Sequence, residues 1–476
     1  MHSRAKPRGG VFLGGPLSGM LLSLCFFEHS GVLERTIPWF GLLPLLISLE
    51  RHRNSLGWRL LHGFFFGSIL CCWPLVSAES WMETSLLATT WTSLVMTASW
   101  MLFCAVGGVI FRKTSPLAIV PAMAIAWCGI EYLRTECLPL ASPWMQLGEL
   151  LSPDSPEGRI AAVIGLSGLG FVVCLVNVTF FLALRERRMR TQVFSVLAAT
   201  SGVLGLVGLG SLHEDPARSP GNPAEESLRI GVVQSAGDGG KHLDLARQLL
   251  NSKPRLILFP ADAFPAAGEK PGSKTVLDTF AQKEDVAMAA GVPATQENGE
   301  DKGPSLLYIA EGGRNREESA EEVLSIETRE GSSVLLVTDR VSRSAHRMRR
   351  LAGEGAQLFL VAGGNARGRP ETHRLLHRLL AFRALETGTG ICRATRNGSS
   401  LILNGAGYRK AEAPRRQDWA TVNPIPLLNP LQGPRWFVRG GWLLGPGCLL
   451  LLGILALREV YSRRKSASAQ DNTRPS

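Results

Sequence analysis

"RLILFPADAFP", residues 255–265, decides how the second half of this chain is read. Leu256, Ile257, Leu258 and Phe259 form an unbroken apolar run that stops at Pro260, and Asp262 and Pro265 turn the chain just beyond it. A run so short and apolar, closed by turn residues, reads as a buried strand. Loops after such strands are where α/β proteins carry functional groups. The pattern repeats on both sides. "LRIGVVQ" (228–234) predicts a strand, with an amphipathic helix at about 241–251 after it. A helix near 274–284 and the strands "VAMAAGVP" (286–293) and "PSLLYIA" (304–310) follow. Then come the strand "SSVLLVT" (332–338), a basic helix over 341–353, the strand "QLFLVAGG" (357–364) and a helix over 371–386. "TGICRAT" and "SSLILNGAG" form a last pair of strands. Strands alternating with helices predict α/β packing.

The flanks of this region are different. Of 476 residues, 45% are hydrophobic and 19% charged, but the average hides two populations. Residues 1–212 read as a membrane domain, 213–435 as one soluble domain, and 436–476 as a last membrane helix with a basic tail. A bilayer core takes about 20 apolar residues per helix. Candidate spans are 11–27, 36–49 (short, with prolines), 60–78, 85–111, 117–133, 160–184, 193–212 and 440–457. Every second loop is basic, as in "RERRMR" (185–190), while "AESWMET" (78–84) has no basic residue. The positive-inside rule then places both termini in the cytoplasm and the soluble domain outside it. The net charge of +11 is partly this topology and is not read as nucleic-acid binding. Cys25, Cys71, Cys72, Cys104, Cys128, Cys137, Cys174 and Cys448 lie in or beside spans, which leaves Cys392 alone in the soluble domain. No disulfide within that domain, no metal-ligand spacing and no cofactor are expected.

Along its length the chain resembles the bacterial apolipoprotein N-acyltransferases. The resemblance runs through "WFGLLPLL" (39–46), "GWRLLHGFFFGSILCCW" (57–73), "IEYLRT" (130–135), "SPWMQLG" (142–148) and "GLSGLGFVVCLVN" (165–177). In the soluble part it is carried by "LRIGVVQ", "LILFP" and above all "HRLLAFRALETGTGICRATRNGSS" (377–400). It implies a multi-pass α-helical membrane bundle with an inserted extracytoplasmic nitrilase-like domain, an α-β-β-α sandwich. It also implies phospholipid and the lipoprotein N-terminus as partners, in the bacterial inner membrane. In that family a Cys-Glu-Lys triad moves an acyl chain from a phospholipid, through a thioester, to the amine of a diacylglyceryl-cysteine.

Against that pattern the chain departs at each triad position. Where the family's Trp-Pro-Glu stands, this sequence reads Phe259-Pro260-Ala261, and Val337 stands where the nucleophilic cysteine is expected. Alanine accepts no proton and valine has no lone pair. No lysine segment is found after Tyr308; Arg314 and Arg316 are the cations there. Ala261 and Val337 are expected on the floor of one cleft. Asp262 and Asp339 are the candidate groups near it. Cys392, inside "GICRAT", is expected to be a buried packing residue rather than a displaced nucleophile. His373 and His377 are expected to be solvated on their helix, and Glu131 to be a packing or interface group, with a proton relay as the reading to test. Two functions stay open: a degenerate relative that binds lipid or lipoprotein, with an active homologue as a candidate partner, or an N-acyltransferase with substitute residues. Transport finds no support, since no span shows paired charges or inverted repeats.

Overall fold

The computed structural model describes residues 13–25, 35–78, 86–138 and 143–185, parts of 197–209, most of 227–427, and 435–471. The N-terminal part is helical: α1 (Gly14–Leu24), α2 (Leu43–Arg51), α3 (Leu56–Ala78), α4 (Leu86–Lys113), α5 (Pro116–Tyr132) and α6 (Ala161–Arg185). Trp100, Trp127, Phe66 and Phe103 interlock at their centre, with Phe66 edge-on to Trp100 at 5.3 Å between centroids. Residues 36–49 do not form one spanning helix. Pro38 and Pro44 each sit at the start of a separate piece, a single 3-10 turn (Ile37–Trp39) and the nine-residue α2. Nine residues rise about 14 Å, half of a bilayer core. Of the predicted span 193–212, residues 197–198, 200–205 and 207–209 are described, all helical, and the rest lies outside the described residues. Among the described residues three helices are long and apolar enough to cross a membrane: Thr90–Lys113, Ala161–Arg185 and Gly441–Arg458.

The α/β domain begins with β1 (Ser227–Gln234), α7 (Gly239–Leu250), β2 (Leu256–Leu258), α8 (Ser273–Glu284) and β3 (Ala287–Val292). The short pair β4 (Thr295–Glu297) and β5 (Glu300–Lys302) precedes β6 (Ser305–Ile309), β7 (Arg316–Ser319), β8 (Val323–Glu327) and β9 (Ser333–Thr338). Next come α9 (Asp339–Arg343), α10 (Ala345–Gly353), β10 (Leu358–Ala362), α11 (Pro370–Thr387) and β11 (Gly390–Ala394). β12 (Leu401–Leu403), β13 (Arg409–Glu412), β14 (Trp419–Pro426) and finally α12 (Leu444–Asp471) complete the chain. Where one basic helix was expected over 341–353 there are two. Ser344, extended at ψ 120°, ends α9 and caps α10 by accepting the Arg347 N–H.

Two six-stranded sheets stack face to face, in the orders β14-β1-β2-β3-β6-β7 and β13-β12-β11-β10-β9-β8. Each has a parallel centre, with Ile230 beside Leu256 in one and Phe359 beside Leu335 and Ile391 in the other. Ile230, Val232, Leu258 and Ala289 from the first sheet meet Leu336, Leu360, Cys392 and Ile402 from the second. The alternate residues Ile257, Phe259 and Met288 pack outward under α7 and α8. On the far side Val337, Phe359 and Val361 pack with α11 residues in the same core as the N-terminal helices. The layer order is therefore the α-β-β-α sandwich expected. α11 is buried almost all round because it lies between a sheet and the helical domain, and its charged Arg383 and Glu386 pair with each other there.

Candidate functional site

β2 delivers the chain to one end of the space between the sheets. Ala261 lies three residues past the strand and packs, with Ala310 after β6, at the edge of the inter-sheet core. Its N–H donates to the Gly363 carbonyl at 3.0 Å, which stitches a loop of the first sheet to a loop of the second. Gly291 on β3 presses on the same point. A Cβ there would lie 2.9 Å from both Cα and Cβ of Ala261 and 3.3 Å from Ala362 Cβ. Only glycine permits that approach. Ala261 itself is half-buried, and it places no acidic side chain at this strand end.

Val337 does not share that floor with Ala261. Successive residues of a strand face opposite sides; Leu336 faces the inter-sheet core, so Val337 faces the helices, where it is fully buried. The next residue, Thr338, is the one in register with Ala362 and turned to the inner side. Its Oγ1 is buried and has no hydrogen-bond partner among the described residues. Sequence reading passed over Thr338 because a single-position register decides which of two neighbours looks into the gap.

Asp339 stands beside this point, but both its oxygens are engaged. Arg393 Nε and Nη2 donate to Oδ1 and Oδ2 at 2.8 Å each. Burial alone would push the carboxyl up; the two-pronged Arg393, with Arg343 and the Gly364 N–H, outweighs it and holds Asp339 below its ordinary value. Arg393 itself is buried at 1% exposure. A charged residue inside the apolar "GICRAT" strand was the available signal, since a buried arginine requires a partner. Cys392 is fully buried between the sheets, opposite Leu360 and Ile402, and burial pushes its thiol up. That is the place of a packing residue. Asp262 and Arg314 lie outside the described residues, and Arg316 begins β7.

His373 and His377 are buried rather than solvated. The two ring nitrogens of His377 lie 3.0 Å from the Ser399 carbonyl and from Glu412 Oε1. A hydrogen bond from His377, ahead of the Arg409 contribution, holds Glu412 down at about 2, against 4.5 for an ordinary glutamate. A depressed carboxyl stabilises the fold above its unfolded value and loses that contribution as pH falls toward the folded one. Glu412→Gln is therefore expected to cost about 1 kcal/mol at pH 7, after allowance for solvent screening. The difference from wild type should vanish near pH 2, and equal costs at pH 7 and pH 3 in thermal melts would contradict it. Gln234 completes the lock at this end. Its Oε1 accepts from Ser400 N at 2.8 Å and Ser400 Oγ at 2.9 Å, and its Nε2 donates to the Pro414 carbonyl at 2.8 Å.

Glu131 is buried where the helical domain meets the loop after it, and accepts the Leu147 N–H at 2.8 Å. Arg134 lies 3.8 Å away. This is the packing role expected of it. Among the described residues no group of three or more His, Cys, Asp or Glu side chains is arranged to hold a metal.

Residues 18–179 match the apolipoprotein N-acyltransferase N-terminal domain. An apolipoprotein N-acyltransferase from Gloeobacter violaceus is 24% identical over 90% of this chain and 91% of its own length. One from Methylococcus capsulatus is 24% identical over 86% of this chain and 89% of its own. Among solved structures, an amidase from Nesterenkonia sp. covers 47% of this chain and 96% of its own at 18% identity, with a TM-score of 0.37.

Proposed function

Because this chain belongs to the apolipoprotein N-acyltransferase family, we propose that it is a catalytically degenerate member, which binds phospholipid or lipoprotein and transfers no acyl group. The observation that carries this reading is that Ala261 offers no acid beyond β2 and Val337 faces the helices, so neither position presents a base or a thiol to the inter-sheet gap. A nucleophile needs a base within hydrogen-bond reach. Asp339, next to Thr338, is held by Arg393, and His377 elsewhere in the domain is engaged by Ser399 and Glu412. Loss of one member of a catalytic unit already removes most of the rate.

Two assays test this reading. The chain is expected not to rescue a bacterium depleted of its own N-acyltransferase. Intact-mass measurement after incubation with phospholipid should show no acyl adduct, and Cys392→Ala and Thr338→Ala should leave any cellular phenotype unchanged. One observation favours the alternative of an active enzyme, namely the unpartnered Thr338 hydroxyl on the inner face. In that case Thr338 Oγ1 would attack the acyl carbon, lysophospholipid would leave with the proton, and an ester on Thr338 would appear. Rescue that depends on Thr338 would sink the binding reading.

The same proposal places the protein in the bacterial inner membrane as a multi-pass bundle, with its soluble domain outside the cytoplasm and both termini inside. The alternating basic loops and the three long apolar helices support this. A periplasm-active reporter fused at Gly405 should be active, and one after Arg464 inactive. The reverse pattern would overturn the orientation.

A further inference from the structure

Residues 143–150 join the helical part to the α/β domain, and buried charges hold them there. From α5, Glu131 Oε1 accepts the Leu147 N–H at 2.8 Å and Arg134 Nη1 donates to the Trp144 carbonyl at 2.8 Å. From α11, Arg378 Nη1 donates to the Glu149 carbonyl at 3.0 Å. Against α6 the fit is close, since a Cβ on Gly148 would lie 2.4 Å from the Leu166 carbonyl oxygen. Trp144 in turn meets the Arg343 guanidinium of α9, 5.5 Å from its ring centre, and α9 begins directly after Thr338. The segment is closed on itself by its own acid: Glu149 Oε2 accepts the Met145 N–H at 3.0 Å. Met145 has φ +57°, a left-handed conformation uncommon outside glycine, so the carboxyl secures a turn that the backbone alone disfavours.

Glu149 differs from the acids around it. Arg134 is matched by Glu131 at 3.8 Å and Arg383 by Glu386, whereas Glu149 forms no ion pair among the described residues. It is buried at 1% exposure, and its Oε1 has no hydrogen-bond partner among them. The charged groups that face it are Arg383 and Arg378 of α11 and Glu131 and Arg134 of α5. An ionised carboxyl with one bare oxygen in the interior is costly, and a neutral one much less so. Burial accordingly pushes Glu149, in the loop between two predicted spans, up to about 8, against 4.5 for an ordinary glutamate. Arg383, Arg134 and the Met145 N–H draw it down, and the Glu131 charge adds to the rise.

We propose that Glu149 is the proton-holding residue of a pH-dependent latch: protonated, it closes residues 143–150 against α5, α6 and α11, and loss of its proton favours release of the segment and of Trp144 from Arg343. In the released segment Glu149 meets water and titrates as an ordinary glutamate. A carboxyl raised in the closed state favours closure fully below its ordinary value, and that contribution is lost as pH rises to the raised one. The test follows amide hydrogen exchange over 143–150 in the full chain in detergent, corrected for the intrinsic exchange rate at each pH. Protection is expected to fall about tenfold per pH unit between about pH 5.5 and 7.5, and to level off above about pH 8. Glu149→Gln keeps the shape and the acceptor for the Met145 N–H but has no proton to lose, and its protection should stay constant over the same range. Glu131→Gln frees Arg134 to pair with Glu149 and should bring the levelling-off to lower pH. Protection independent of pH in the wild type, or falling equally in Glu149→Gln, would overturn the latch, and the wild-type titration decides even where a variant fails to fold.

Discussion

Replacing Arg393 by methionine is expected to lower the thermal midpoint of the purified full chain by roughly 10 °C, from a loss of about 3–5 kcal/mol. The cost arises less from the lost pair than from what remains. Asp339 would keep its partly buried carboxylate with both former donors gone, and an uncompensated charge there is expensive. Two controls separate charge from shape. Arg393→Lys keeps the charge but cannot donate in a fork, and should fall between wild type and methionine. Removing the acid as well, with Asp339→Asn beside Arg393→Met, should recover more than half of the loss. A midpoint within 2 °C of wild type for Arg393→Met would show that the pair does not hold the second sheet to α9.

Restoring the family's acid and thiol at the aligned positions should not awaken the enzyme. With Ala261→Glu and Val337→Cys together, no acyl-thioester is expected, and the protein should lose about 2–4 kcal/mol. The new sulfur would enter the layer packed with Phe359 and Val361, on the opposite side of the sheet from the new carboxylate. The added glutamate would enter beside Gly291, whose backbone lies close against Ala261. Relieving one change at a time divides the loss: Val337→Cys alone is a modest core truncation, while Ala261→Glu alone carries the overpacking. A trapped thioester in the double variant would show that both groups can meet, and the argument from opposite sides of the sheet would fail.

Much of the architecture was legible in the amino-acid order because it rests on local pattern. Apolar runs such as Leu256–Leu258 and Leu358–Ala362 became central parallel strands, and 239–250 and 273–284 became helices within two residues of expectation. β14 escaped because Pro424 and Pro426 argue against a strand; it forms at a sheet edge, where a proline's missing N–H costs little. The absence of an acid at 261 and of a thiol at 337 was likewise plain from residue identity.

What pattern could not supply was direction and partnership. Whether Val337 or Thr338 faces the gap depends on which side of β9 meets the other sheet. Whether His373 and His377 meet water depends on the helical domain and loop that cover α11. That Asp339 belongs to Arg393, and Glu386 to Leu166, follows from contacts across 54 and 220 residues of chain. Periodicity in a sequence reports the local preference of a backbone for burying one face. Pairing of buried charges and closure of a gap depend on distances between elements remote in the chain, and those distances exist only once the sheets have stacked.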